Sequence, residues 1–175
     1  MIVFSSSPGS ACTVTSGKLS FQVFADEPKG DEWALRSHPE EVMRKKVICW
    51  PGEYDFDGMT LRGVGQEGGR QISYVGHIDG VRCGFIDTPV LEWTDADQRQ
   101  LGDIDILVIA ADNPKKVAAL VEIIDPRAVV LFGVKDGDLP GTAKAVGAKS
   151  LEPVGEFKVK PGTLPAEARE VVVLK

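Results

Sequence analysis

Residues 104–132, IDILVIAADNPKKVAALVEIIDPRAVVLF, decide the fold of this chain. Two largely apolar runs, Ile104–Ala110 and Ala128–Phe132, have the composition of strands that are covered on both faces. The segment between them places its apolar residues at i, i+3, i+4 and i+7, the spacing of one helical stripe: Val117, Leu120, Val121 and Ile124. The stretch therefore predicts a β-α-β unit with two parallel strands and a right-handed crossover.

The first half of the chain has the period of strands instead. Short β-rich runs occupy Ile2–Phe4, Ala11–Thr15 and Leu19–Phe24, and Ser16-Gly17 separates the second run from the third. Two Asp-Gly pairs, at 57–58 and 79–80, stand between apolar runs and are typical of tight hairpin turns. Strands first, then a late β-α-β unit, indicate two sheets packed face to face with helices outside.

Short helices are predicted at three places outside the β-α-β unit. Thr94 is expected to cap one helix, and Thr142–Val146 is expected to form another. Pro39–Lys46 is predicted as a third helix, with Ser37 as its N-cap. A surface loop is expected at residues 28–31, where proline and glycine are close together.

Composition limits the classes of function. The chain has 175 residues and a formal net charge of −6, which argues against generic nucleic-acid binding. No apolar run approaches the length of a membrane span, so we expect no membrane partner. The three cysteines have no C-x-x-C spacing, so a disulfide framework is not expected. Free cysteines are typical of reducing compartments, so we expect a cytoplasmic location. A homo-oligomer is compatible with the modest size and the edge strands.

Several short sequence segments of the chain resemble those of a known family. They include Trp50-Pro51-Gly52-Glu53-Tyr54, Ile78-Asp79-Gly80-Val81-Arg82 and Leu101-Gly102-Asp103-Ile104-Asp105-Ile106-Leu107. Their order resembles small hydrolase-like proteins of the metallo-β-lactamase superfamily, near the ascorbate-lactonase-like branch. The resemblance implies an α+β fold, the αβ/βα four-layer sandwich of the metallo-β-lactamase type, as a single domain over residues 1–175.

The resemblance also implies a zinc site, because the family binds one or two zinc ions through a His-x-His-x-Asp-His motif and later ligands. Laid over that motif without gaps, Arg36 falls on the first histidine and His38 on the second. Glu40 and Glu41 fall on the aspartate and the last histidine, and Asp87 matches the later aspartate. The other family histidines fall on residues without ligand atoms: Gly9, Gly84 or Phe85, and Gly133.

These replacements predict a degenerate site without a cofactor. Catalytic zinc needs three good ligands and a water, and a guanidinium beside them repels a cation. If any metal binds, its ligands are expected to be His38, Glu40 and Asp87. Otherwise Arg36 is expected to pair with Glu40, Glu41 or Asp87 through bidentate hydrogen bonds.

Several functions remain open at this point. The first is a non-catalytic binding or assembly module whose partner is an unknown small molecule or protein. The second is a metal-dependent hydrolase of a lactone, ester or phosphodiester with a reduced ligand set and zinc as its cofactor. A third uses Arg36 to recognise an anionic group in the vacated pocket. A Ser10–His38–Asp87 triad rests on fold analogy alone.

Overall fold

A computed structural model describes residues 1–28 and 31–175 of the chain. The loop expected at residues 28–31 lies partly outside the described residues. Elements are numbered in chain order. The first sheet has six strands in the order β12-β1-β2-β3-β4-β5. These are β1 (Ile2–Ser7), β2 (Ser10–Ser16), β3 (Leu19–Val23), β4 (Trp33–Leu35), β5 (Val47–Ile48) and β12 (Glu156–Val159).

The second sheet has seven strands in the order β13-β11-β10-β9-β8-β7-β6. These are β6 (Gly52–Phe56), β7 (Met59–Gln66), β8 (Gln71–Ile78), β9 (Val81–Ile86), β10 (Ile106–Ala110), β11 (Ala128–Phe132) and β13 (Glu170–Val173). The helices are α1 (Asp95–Leu101), α2 (Pro114–Ile124) and α3 (Leu139–Ala145), and Glu67–Gly69 forms a 3-10 turn. None of these helices is long and apolar enough to cross a bilayer.

The β-α-β unit is confirmed. Strands β10 and β11 pair in parallel from Ile106–Ala128 onward, and every residue of both strands is buried. Helix α2 begins after Asn113, whose side chain accepts backbone N–H groups of Lys115 and Lys116. It ends at Asp125 in the left-handed conformation. The local sequence signals and the tertiary arrangement agree here.

Both Asp-Gly hairpins are confirmed as well. Phe56 pairs with Met59 and Ile78 pairs with Val81, so each turn has two central residues. Asp57 and Asp79 have φ of 47° and 48°, and the glycines that follow also have positive φ. This is the backbone that a two-residue primed turn requires, and Asp-Gly tolerates it.

The core lies between the two sheets. The Phe21 ring of β3 meets Phe56 and Phe85 of the second sheet edge-on, at centroid distances of 6.2 and 5.8 Å. Tyr74 of β8 is fully buried, and its hydroxyl donates to the carbonyl oxygens of Arg36 (2.7 Å) and Ile48 (3.0 Å). Tyr74 therefore joins the second sheet to the ends of two strands of the first.

The helix predicted over Pro39–Lys46 is wrong. In the described structure this segment consists of bends and a turn at Lys46, and the Ser37 hydroxyl does not cap a helix. A helix here has no apolar face to bury, since Val42 and Met43 are 74% and 83% exposed. A short helix is stable only when it buries an apolar face, and this segment has none. Its conformation is set instead by the contacts of its first residues with the rest of the protein.

The other two short helices form, one of them with different bounds. Thr94 caps α1 through a reciprocal capping box with Asp97. Helix α3 begins at Leu139, earlier than expected, because the Asp138 side chain accepts the N–H of Gly141. The cysteine prediction also holds: Cys12, Cys49 and Cys83 are free and buried.

Replacing Tyr74 with phenylalanine tests the link between the sheets. Tyr74→Phe keeps the ring and removes the hydroxyl that donates to the buried Arg36 and Ile48 oxygens, so it should lower the free energy of unfolding by about 1–3 kcal/mol. Tyr54→Phe is the matched control, since that hydroxyl donates to Trp50 at an exposed position. Urea denaturation checks both variants, and equal losses would contradict the bridging role.

Candidate functional site

The segment Arg36–Ser37 leaves β4 between the two sheets and is bonded to both. The Arg36 N–H donates to the Ile48 oxygen at 2.9 Å, which continues the pairing of the first sheet. The Ile72 N–H of the second sheet donates to the Ser37 oxygen at 2.7 Å. Together with the Tyr74 hydroxyl, these bonds fix the backbone from which the side chains of the site project.

The Arg36 guanidinium is the centre of the site. Its Nη1 donates to the backbone oxygens of Ala25 and Asp26, the latter at 2.7 Å. Its Nη2 lies 3.1 Å from Nε2 of His38, and its Nε lies 3.1 Å from Oε1 of Glu40. The side chain is only 15% exposed. The guanidinium therefore gathers two carbonyl groups, an imidazole and a carboxylate around one fixed positive charge.

The contact with Glu40 is an ion pair without a well-directed hydrogen bond. The Arg36 Nε has no hydrogen-bond partner of good geometry, although the carboxylate lies 3.1 Å away. The bidentate partner of Glu40 is Arg44, at 2.9 and 2.5 Å. The Arg44 hydrogen bonds hold the pKa of Glu40 below its ordinary value, and the charge of Arg36 adds to this. The expected ion pair between Arg36 and Glu40 is present, but the bidentate hydrogen bonds to Glu40 come from Arg44.

The contact with Arg36 determines the hydrogen-bonding role of Nε2 of His38. A guanidinium is always protonated and only donates, so Nε2 of His38 accepts from Arg36 and its lone pair is engaged. The other ring nitrogen lies 3.4 Å from the Ser37 hydroxyl oxygen. The lone pair that a metal ion would need is therefore directed at a cation.

Asp87 lies on the other side of the site, after β9. The Ser37 hydroxyl donates to its Oδ2 at 2.6 Å, and the Thr88 N–H donates to its Oδ1 at 2.8 Å. Burial raises the pKa of the Asp87 carboxyl, and the two hydrogen bonds oppose that rise only in part. Sequence reasoning missed the Ser37–Asp87 pair because it assigned Ser37 to a helix cap.

These groups surround a very small cavity. Its volume is about 30 Å³. Its lining is Phe24, Ala25, Asp26, Arg36, Ser37, His38 and Asp87. A space of this size holds about one or two waters and is far smaller than the sites that bind organic ligands.

The structure brings some of the expected site residues together and leaves others apart. Arg36, His38 and Asp87 line the same cavity, and Glu40 contacts Arg36. Glu41 is exposed and is not part of the lining. The Ser10 hydroxyl donates to the Ser7 oxygen outside the lining, so the Ser10–His38–Asp87 grouping does not form.

The donor set does not fit the zinc site that this kind of fold implies. Within residues 1–28 and 31–175, no group of three or more His, Cys, Asp or Glu side chains is arranged to hold a metal ion. Nη2 of Arg36 lies 3.1 Å from Nε2 of His38, inside the cavity that both side chains line. A divalent ion there would face a permanent positive charge at contact distance.

The raised pKa of Asp87 predicts a pH dependence of stability. The folded protein binds this proton more readily than the unfolded chain does, so the contribution of Asp87 to stability is greatest below its ordinary pKa of 3.8. That contribution is lost as the pH rises through the higher folded pKa. The stability of the wild type relative to Asp87→Asn should therefore fall between about pH 4 and neutrality. Urea denaturation over that range measures it, and a difference that rises with pH would refute the assignment.

Arg36→Met tests whether the guanidinium holds the site together. The variant removes donors from the Ala25 and Asp26 oxygens and the cation next to Glu40, so unfolding should become easier by about 1–3 kcal/mol. Arg62→Met is the control, because that arginine pairs with Glu53 at an exposed position and should change stability by less than about 1 kcal/mol. Thermal unfolding of both variants measures the two changes in stability. Equally small effects of the two substitutions would contradict the central role of Arg36 in the site.

Comparison with solved structures identifies the fold of the chain. No protein-family model and no curated protein matches the chain. Among solved structures it is similar to a candidate zinc-dependent hydrolase of the metallo-β-lactamase superfamily from Thermotoga maritima, with a TM-score of 0.74, 18% identity and 100% of both chains covered. It is also similar to the metallo-β-lactamase fold protein YhfI from Bacillus subtilis, with a TM-score of 0.62, 8% identity and coverage of 99% and 96%. The chain therefore has the metallo-β-lactamase fold.

Proposed function

We propose that this protein is a non-catalytic binding or assembly module on a metallo-β-lactamase fold. The observation that carries the proposal is the contact between Arg36 Nη2 and His38 Nε2 at 3.1 Å. It places a permanent cation on the imidazole nitrogen that a metal would otherwise use. The site then has a structural role, because the guanidinium holds the strand ends that a metal would hold in a catalytic relative.

The chemistry of the guanidinium supports this role. It binds oxygen and nitrogen acceptors in fixed directions, as a metal ion does, and it stays charged at every physiological pH. Unlike a metal, it has no open coordination position and cannot convert a bound water into a hydroxide nucleophile. A site organised by Arg36 keeps the geometry of the loops and lacks the means to hydrolyse a substrate.

The size of the cavity points in the same direction. About 30 Å³ is too little for a lactone, an ester or a phosphodiester. The proposed anion recognition by Arg36 is also less favoured, since its guanidinium already contacts two backbone oxygens, His38 and Glu40. We therefore expect partners to bind elsewhere on the surface. The three free, buried cysteines fit a reducing compartment, and we place the protein in the cytoplasm.

One observation favours the alternative, a metal-dependent hydrolase of a lactone, ester or phosphodiester. His38 and Asp87 line the same cavity, and Glu40 lies within reach of Arg36 beside it. Zinc bound by these three side chains would have to displace the guanidinium and break the bidentate Arg44–Glu40 pair. The two functions differ in their response to metal.

Metal analysis separates the two proposals. The purified protein should contain much less than one zinc per chain, and neither added zinc or manganese nor EDTA should change its melting temperature, because Arg36 blocks the ligand positions. Elemental analysis and thermal unfolding measure this. Stoichiometric zinc that is lost in both His38→Ala and Asp87→Ala would overturn the non-catalytic proposal and support the hydrolase.

The Arg36→His variant is a positive control for the zinc response. This change removes the guanidinium and adds a second imidazole next to His38, so zinc should raise the melting temperature of this variant more than that of the wild type. Arg36→Met, which removes the charge without adding a ligand, controls for simple release of His38. Equal zinc responses in all three proteins would contradict the assigned role of Arg36.

A further inference from the structure

A second cavity lies far along the chain from the Arg36 site, beside helix α2. Its volume is about 340 Å³, within the range of small-molecule sites. One wall is the segment Leu91–Trp93, and the other is a face of α2 from its first turn to its last. The residues of this wall on α2 are Lys115, Lys116, Ala119, Leu120 and Ile123. We call this cavity the α2 groove.

Both walls of the α2 groove are held in place by the fold. The Val90 N–H donates to Oδ2 of Asp112 at 2.8 Å, which ties the first wall to the start of α2. The Trp93 oxygen accepts from Gln98 Nε2 at 3.2 Å, and Thr94 caps α1 directly afterwards. A groove with fixed walls loses little entropy when a ligand enters, so it is suited to binding.

The lining combines apolar surface with unpaired positive charge. Ile123 is 52% exposed at one end, and Leu120 and Trp93 form buried surface beside it. Lys115 and Lys116 are exposed at the other end and make no ion pair within 4.0 Å among the residues that the structure describes. The lining also includes the exposed carboxylate of Glu92, so the sum of the three formal charges remains positive.

Trp93 adds a polar group that lacks a partner. Its side chain is 8% exposed, and its Nε1 is buried without a hydrogen-bond acceptor in the described structure. Buried indole N–H groups normally find an acceptor, and leaving one unpaired is unfavourable. The Trp93 side chain also lines the α2 groove.

We propose that the α2 groove binds an amphipathic carboxylic acid, with its apolar part against Leu120 and Ile123 and its carboxylate near Lys115 and Lys116. This inference does not depend on the non-catalytic proposal, because none of the groove residues lines the Arg36 cavity. Zinc binding at the Arg36 site would overturn the first proposal and leave this one intact.

Isothermal titration calorimetry of the full chain with sodium octanoate tests the groove. Octanoate should bind saturably with one site per chain, and octylamine, which has the same chain and the opposite charge, should not. Ala119→Trp fills the groove from an exposed helix position and should abolish binding. No saturable octanoate binding to the wild type, or unchanged binding to Ala119→Trp, overturns the proposal.

A further variant assigns the polar contact. Replacing Lys115 and Lys116 with glutamine together should weaken octanoate binding about fivefold, whereas Lys18→Gln, in the exposed β2–β3 turn, should not. Circular dichroism confirms folding of each variant. Full affinity in the double lysine variant would reject the carboxylate position.

Discussion

The burial of one apolar layer between two sheets is the constraint on which the rest of the structure depends. The inner faces can pack only if the ends of their strands meet in register, and the Tyr74 hydroxyl fixes that meeting from within the core. By donating to the Arg36 and Ile48 oxygens it adds a side-chain partner for two buried carbonyl groups, the second of which also accepts from the Arg36 N–H. The positions of the site residues follow from this junction.

The Arg36 guanidinium stabilises the junction from the solvent side. Its positive charge is part of the chain itself and contacts the Ala25 and Asp26 oxygens, His38 and Glu40. The left-handed backbone of Phe24, at φ 50°, lies next to the carbonyl groups that Arg36 binds. Backbone in this conformation persists only where its surroundings hold it.

The accuracy of sequence reasoning differed between local and non-local features. The Asp57-Gly58 and Asp79-Gly80 turns and the Thr94 cap form as expected, since each depends on neighbours within a few residues. The helix expected over Pro39–Lys46 failed because Ser37 donates to Asp87, 50 residues away, instead of capping a helix, and because Val42 and Met43 stay exposed. Propensity in such a segment is weak compared with hydrogen bonds to the opposite sheet.

The sequence by itself determined the two-sheet architecture, because hydrophobic period is a local property. Only the tertiary structure decided that Ser37 donates to Asp87, that Arg36 engages the lone pair of His38, and that Trp93 faces α2 across a groove. These pairs are 50, 2 and more than 20 residues apart. Even the close pair depends on side-chain directions that the packing of the sheets sets.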